Sequence, residues 1–552
     1  MSGEELTLRS WLPTAIPALL AAVVLFALSL FPSLLPRPPV MQGVLSGILV
    51  AAGYGVGLGL AALWRFMELA EPRGRAMRVA SLALGVAAFA FAGYALWQWT
   101  AWQNDVRALM TMPPVDTLNP LRVVLLALAV ALAFLLLGRL IGAAFTLFHR
   151  GLKRLLPGRA AFVVSAALLA FVLWSVLDGV VFVRLHALAD ATYQQVDRFV
   201  DPSLAPPSDP LKAGSAASLI DWQELGHWGR SFIASAPSRA DVAAYHGARA
   251  NEPLRVYVGL RHGADPEARA ELALAELIRT DAFARAVLVV AVPVGSGWVD
   301  PFGVDTLEFL HGGDTAIVAQ QYSYLTSWVS MLIEPTVSHE TARALFEAVY
   351  GHWRELPVDD RPALYLHGLS LGSFGSEASV DVLELIADPV DGALWVGPTF
   401  ANPIWRRVTE ERRPESPVWL PRFRDGSLFR FTNQVNHLGL DGAPWGPLRV
   451  VYLQYASDPI TFFRTDAWWR RPSWLEGERG FDVSPLLEWY PLVTFVQLAA
   501  DMGIALSPPI GFGHDFHPHH YIDAWLAVTD PPGWTAAQTA ALKERYADAE
   551  GW

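Results

Sequence analysis

Hydrophobic and polar positions follow two different patterns in this chain. Up to about residue 185, long runs almost free of charge alternate with short loops that carry arginines. Beyond about residue 250 the apolar runs are short and rich in β-branched residues, and they alternate with amphipathic stretches. The first pattern predicts membrane spans, because a helix needs roughly 20 apolar residues to cross a bilayer core. Five are predicted: Trp11–Phe31, Met41–Trp64, Val79–Trp97, Leu121–Phe145 and Ala160–Phe182. The first is too long for a cleavable signal peptide and lacks a small-residue cleavage site. In the second, Gly53 with Gly57 and Gly55 with Gly59 have the four-residue spacing that lets helices approach closely in lipid.

The second pattern predicts strands at Arg255–Leu260, Ala286–Val292, Ala316–Ser323, Ala363–His367, Gly392–Val396 and Arg449–Gln454. Helices are predicted at Pro266–Thr280, Thr341–Glu355 and Ser376–Leu385, and another opens at Asp523–Val528. Buried strands alternating with helices imply an α/β domain, a mostly parallel sheet covered on both faces. Phe400–Pro447 breaks the alternation and is rich in Trp, Arg and Pro, so it reads as an insertion or cap. The Pro- and Ser-rich stretch Asp201–Pro210 reads as a linker. The expected organisation is a transmembrane helical domain at 1–185, a transition region at 186–250 and a catalytic domain at 251–552 with a cap-like insertion near 400–447.

Composition agrees with a membrane setting. Of 552 residues, 53% are hydrophobic and only 17% charged. Tryptophans at 64, 97, 99, 102 and 174 fall where lipid headgroups are expected. The absence of cysteine excludes disulfides, thiolate catalysis and Cys-ligated zinc. A net charge of −12 without a basic run argues against a nucleic-acid partner. Arg73, Arg75 and Arg78 lie in the second-to-third connection, and Arg150, Lys153, Arg154 and Arg159 in the fourth-to-fifth. The other two short loops carry one arginine each, Arg37 and Arg107. Positive loops stay cytoplasmic, so the N-terminus is expected inside and, with an odd number of spans, everything after Phe182 outside.

Candidate chemistry centres on Gly368-Leu369-Ser370-Leu371-Gly372, which follows a predicted strand and precedes a predicted helix. A serine on a sharp strand-to-helix turn is held in a strained conformation with its hydroxyl above the sheet edge. The N–H of Leu371 is then one donor for a developing oxyanion; Ser296 or Gly297, in the small-residue loop after Ala286–Val292, is the candidate for the other. A serine hydrolase of this layout needs an acid and then a histidine later in the chain. Asp458 stands at the end of Arg449–Gln454, and His514 follows Gly511-Phe512-Gly513. His517, His519 and His520 read as solvated loop histidines. A metal site built on them with Asp515 is disfavoured, because no matching His-rich motif or clear helical pair accompanies them. No metal or cofactor is expected.

Several stretches together carry a resemblance: Phe31-Pro32-Ser33-Leu34-Leu35-Pro36-Arg37, Gly297-Trp298-Val299-Asp300-Pro301, Leu310-His311-Gly312-Gly313-Asp314-Thr315-Ala316, Ser370-Leu371-Gly372-Ser373-Phe374-Gly375, Ala456-Ser457-Asp458-Pro459 and the Gly-x-Gly-His stretch. The chain resembles the bacterial membrane-anchored alpha/beta-hydrolase family with a multi-span N-terminal domain. Leu369 departs from the glutamate expected there in relatives. The resemblance implies a hydrolase with Ser370, Asp458 and His514 at the triad positions. It leaves the substrate open, since some membrane hydrolases of this general type cleave aminoacyl esters of phosphatidylglycerol. The expected activity is hydrolysis of an ester, favoured as a lipid ester, at the outer face of a bacterial inner membrane. Acyl transfer through the same acyl-enzyme and a non-catalytic scaffold on a hydrolase fold are the alternatives. Arg406, Arg407, Arg412 and Arg413 are candidates for anionic headgroups, or else face water or pair with Glu410, Glu411 and Glu415.

Overall fold

The computed structural model of the protein describes residues 3–551 apart from 70–73, 183, 185–196, 200, 202, 328, 331–335, 381–387 and 441. It divides into two compact units, Met1–Val183 with Phe463–Pro508, and Arg184–Phe462 with Pro509–Trp552. The second piece of the first unit falls within the stretch 251–552. The chain leaves the sheet-bearing unit after Phe462 and returns at Pro509.

The first unit holds α1 (Gly3–Ser29), α2 (Pro39–Phe66), α3 (Arg75–Leu109), α4 (Pro120–Leu152) and α5 (Gly158–Val176). Four helices among the described residues are long and apolar enough to cross a membrane: Pro39–Phe66, Arg75–Leu109, Pro120–Leu152 and Gly158–Gly179. The sequence predicts five. The remaining prediction, Trp11–Phe31, falls on α1, a helix of 27 residues, and the side chains of the first five positions of that prediction lie outside the described residues. Helix α3 outruns its predicted end at Trp97, because Trp99 and Trp102 are buried against Ala27 and Leu30 of the α1 end. These two indoles are therefore core residues, whereas Trp64, Trp97 and Trp174 are exposed as an interfacial role requires. Only one of the two glycine pairs makes a close helix contact. Side chains at Gly53 and Gly57 would strike the α1 backbone at Ala21 and Ala18, while Gly55 and Gly59 face open space. Gly43 and Gly47 do the same for α4, against Leu126 and Val130.

The piece 463–508 packs at the end of the bundle where α1 stops and α2 starts. Backbone groups freed there need partners, because an unpaired peptide group in apolar surroundings is costly. The Asp501 carboxylate accepts from Ser33 Oγ and Leu34 N, both at 3.0 Å. Gln497 Nε2 donates to Phe31 O at 3.0 Å, and Arg37 Nη2 donates to the same oxygen at 2.8 Å. Gln103 Oε1 of α3 accepts from Arg37 N at 2.7 Å. Polar groups of the Phe31–Arg37 turn thus pair with residues 466 to 468 positions downstream and with neighbouring helices, while Arg37 Nε and Nη1 are buried without a hydrogen-bond partner among the described residues. The basic residues Arg75, Arg78, Arg150, Lys153 and Arg154 lie at the other ends of α2, α3 and α4. Arg73 lies outside the described residues.

The second unit is built on seven parallel strands: β1 Leu254–Val258, β2 Val287–Val292, β3 Thr315–Gln320, β4 Ala363–Leu369, β5 Gly392–Val396, β6 Phe429–Thr432 and β7 Arg449–Leu453. Their order is β1-β3-β2-β4-β5-β7-β6. Six match the predicted strands. β6 was not expected; it lies within the stretch read as a cap, pairs with β7 and forms the sheet edge. Phe429 and Phe431 stack on Tyr452 there, which is the cross-strand packing that makes Phe-Arg-Phe-Thr a strand. The transition region is also structured where described. Helices Gly226–Ala234 and Arg239–His246 belong to this unit, and the first packs on β1. Of the predicted helix at 376–385, residues 381–385 lie outside the described ones, and the helix observed is Leu371–Ala378. The C-terminal helix starts at Pro518, five residues before its predicted opening.

Candidate active site

In an open parallel sheet, ligands gather beyond the carboxyl ends of the strands, near the point where strand order reverses. Here that point is β2/β4, and Ser370 follows β4 directly. Its backbone lies at φ 56°, ψ −123°, a region costly for any residue with a side chain. Ser370 N donates to Val396 O at 2.9 Å, which fixes the turn to the end of β5. Both glycines of the motif are sterically required. A side chain on Gly368 would strike the Gly372 backbone, and one on Gly372 would strike Val292 O and Pro293 O of the β2 end. Helix Leu371–Ala378 begins at once, so the Leu371 N–H belongs to the first turn, whose donors have no intrahelical acceptor.

Asp458 stands just beyond β7, and β5 alone separates β7 from β4. The carboxylate is fully buried. Its Oδ1 accepts from Ile460 N at 2.8 Å and Thr461 N at 3.3 Å, and its Oδ2 accepts from Thr461 Oγ1 at 3.0 Å. His514 Nδ1 lies 2.6 Å from the same Oδ2. The other ring nitrogen, Nε2, is buried and has no hydrogen-bond partner among the described residues. His514 also rests on the residue after β5. A side chain at Gly397, itself at φ 49°, would lie 2.6 Å from the imidazole Cε1. The register Leu369↔Val396↔Leu453 brings all three strand ends level, so the turns bearing Ser370, Gly397 and Asp458 emerge side by side. Asp458 and His514 are in contact, whereas no hydrogen bond joins Ser370 Oγ to His514 Nε2.

The second oxyanion donor is narrowed by the loop after β2. Gly297 N donates to Val294 O at 2.8 Å, and Gly297 O accepts from Tyr257 Oη at 2.7 Å, so both backbone groups of Gly297 are engaged in the turn. Gly295 N donates to Ser327 Oγ at 3.3 Å. Ser296 is the remaining candidate of the two.

His517, His519 and His520 are not solvated loop residues. They open the helix Pro518–Thr529 and are partly buried. Burial and neighbouring cationic groups push His517 down to about 4 and His520 down to about 3. No group of three metal-binding side chains occurs among the described residues. Arg412 donates to Ser416 O and Thr409 O, and Arg413 to Arg424 O, so these two hold their own loop, while Arg407 pairs with Glu411 at 3.1 Å. Gly397, Thr461, Ser457 and Tyr455 were not singled out in the sequence. A glycine directly after a predicted strand was the one available signal for the first.

Asp300 of the Gly-Trp-Val-Asp-Pro stretch has a different task. It caps helix Pro301–Leu310 through Phe302 N at 2.9 Å and accepts from Tyr521 Oη at 2.6 Å. Burial pushes its carboxyl up to about 7. A raised carboxyl favours the folded state below its unfolded value near 4, and that contribution is lost as pH climbs through 7. Asp300→Asn, whose amide can serve both partners without charge, is expected to gain stability over the native protein across that window. The gain should be on the order of 1 kcal/mol or more by pH 8. Melting temperatures of both forms between pH 4 and 8 check this; a constant difference would contradict it.

Two family models match the chain. One, described as an alpha/beta-hydrolase family, covers residues 254–542, and the other, the N-terminus of an alpha/beta-hydrolase family, covers 30–237. The chain belongs to this alpha/beta-hydrolase family. The seven-stranded parallel sheet and the apolar helices preceding it agree with the two halves of that match. Searches of curated proteins and of solved structures returned no match. As a family member the protein has a hydrolase fold, joined to helices capable of crossing a membrane.

Proposed function

We propose that the protein is an integral membrane serine hydrolase that cleaves a carboxylic ester through an acyl-enzyme. Ser370 attacks the carbonyl. His514 takes its proton at Nε2 and returns it to the leaving alcohol. Asp458 holds the imidazole tautomer and stabilises its charged form, and Leu371 N with a donor at Ser296 receives the oxyanion. Water then releases the acyl group. The observation that carries this reading is the buried Asp458–His514 contact at the strand ends that also bear the strained Ser370 turn.

A lipid ester is the favoured substrate. Phe463 follows Asp458 by five positions and Pro509 precedes His514 by five, so the acid and the histidine flank a segment that belongs to the helical unit. That segment exposes Trp468 at 53% and Trp469 at 58%, side chains suited to a lipid headgroup region. Trp474 is buried and is not part of such a surface. Arg412 and Arg413 hold their own loop and Arg407 pairs with Glu411, which leaves Arg406 as the headgroup candidate. Lipids extracted from cells lacking the gene should accumulate an ester lipid, aminoacyl-phosphatidylglycerol being the first to examine. Its level should fall on complementation with the native gene and not with Ser370→Ala. An unchanged lipid profile, with purified protein cleaving soluble esters efficiently, would overturn the lipid assignment.

The catalytic unit is assigned to the outer side of a bacterial inner membrane. The support is the charge of the α2–α3 and α4–α5 connections, against one arginine in each of the other two. A reporter fused after Arg184 should be active only outside the cytoplasm, and one in the Arg150–Arg159 loop only inside. Activity of both on one side would refute the orientation.

A further inference from the structure

The acid turn and the histidine loop are joined by three ties, of which Asp458–His514 is the middle one. On one side, Gly513 N donates to Ser457 Oγ at 3.0 Å. On the other, the fully buried Tyr455 hydroxyl accepts from His517 N at 3.1 Å and lies 2.5 Å from His520 Nδ1. A phenol has one proton to give and can accept through its oxygen. With His517 N–H donating to that oxygen, the hydroxyl proton is free for an unprotonated His520 Nδ1. Asp458 N donates to Tyr455 O at 3.1 Å, so Tyr455 and the acid share one turn. The Tyr455 ring stacks on Phe516 with centroids 4.4 Å apart, and Phe516 meets the His514 ring at 5.6 Å. The neighbouring histidines steady this anchor. His517 Nδ1 caps the helix by accepting from His519 N at 3.2 Å, and His519 Nε2 lies 2.6 Å from Lys543 O of the next helix.

We propose that Tyr455 and His520 are positioning residues that set the geometry between Asp458 and His514, which gives the histidine-rich run after His514 its task. The inference rests on the serine-hydrolase reading above. The Tyr455 side chain is fully buried and that of His520 partly so. Together they clamp the acid turn to the first turn of the helix that follows the catalytic histidine. Loosening the clamp lets the carboxylate and imidazole drift, and sub-ångström placement carries a large share of rate in such sites.

The test uses the full-length protein in membranes, with the second-order rate of Ser370 labelling by a fluorophosphonate and the pH profile of hydrolysis of an ester probe. Tyr455→Phe keeps the ring against Phe516 and removes the hydroxyl. It should lower kcat and the labelling rate by roughly 10- to 100-fold with KM within about twofold. The acid limb of the profile should move to lower pH, because a less well-placed carboxylate stabilises imidazolium less. His520→Leu should match it, and the double variant should be no worse than either single, as expected for two members of one interaction. His520→Asn, whose amide oxygen replaces the Nδ1 acceptor, should restore activity to within about threefold of native. A packing role alone would lower melting temperature without moving the pH limb or separating His520→Asn from His520→Leu, and that result would overturn the proposal. So would native rates in Tyr455→Phe and His520→Leu while Ser370→Ala is inert. Activity surviving in Ser370→Ala would instead remove the hydrolase reading on which the inference stands.

Discussion

Ester hydrolysis by the Ser370→Ala variant is expected to fall by about 10⁴- to 10⁶-fold, close to the uncatalysed background. Loss of an activated nucleophile removes the whole covalent route, and what remains is only the advantage of binding and of oxyanion donors. The fold should survive. Alanine imposes no more strain than serine at φ 56°, and the turn is held by Ser370 N to Val396 O, a backbone bond that the substitution leaves in place. Melting behaviour should therefore stay near native. A variant that folds and retains more than about a hundredth of native activity would take the nucleophile away from Ser370.

Asp458→Asn is the second large effect, a loss on the order of 10³- to 10⁴-fold in kcat. The four hydrogen bonds reaching this carboxylate explain both the size and the shape of the change. Asparagine keeps one acceptor oxygen, which can satisfy Ile460 N and Thr461 N, so the turn should hold. Its amide nitrogen would then face His514 Nδ1 as a donor. The imidazole must present an unprotonated Nδ1 to it, which places the proton on Nε2 and leaves that nitrogen unable to accept from a serine. Loss of kcat with little change in KM, reversed in part at high pH, is the expected kinetic pattern. An equal fall in stability and activity would instead indicate a structural role for Asp458.

The strand-to-helix setting of Gly-x-Ser-x-Gly was legible in the sequence because sterics leave few alternatives. Val292 O and Pro293 O press on Gly372, and the Gly372 backbone presses on Gly368, so small residues at those two places carry local information. Asp458 and His514 were legible through strand order and adjacent glycines. The excursion of 463–508 into the helical unit was not. Its anchors, Asp501 to Ser33 and Gln497 to Phe31, pair residues more than 460 positions apart, and no periodicity encodes such partners. Phe429–Thr432 was missed because four residues are too short for a pattern of alternation, and its strand character comes from Tyr452 on the neighbouring strand. The histidines after His514 were misread for a similar reason. Their burial depends on Tyr455 and Lys543, which reach them only in the folded unit.

The measurement that tests the central claim most directly is the site of covalent modification. Membranes carrying the full-length protein are treated with a fluorophosphonate, the protein is digested, and the modified peptide is identified by mass. The account predicts one stoichiometric adduct, on Ser370, formed quickly in the native protein and far more slowly in Asp458→Asn. An adduct on Ser296 or Ser373, or no adduct in protein that still hydrolyses an ester, would contradict it.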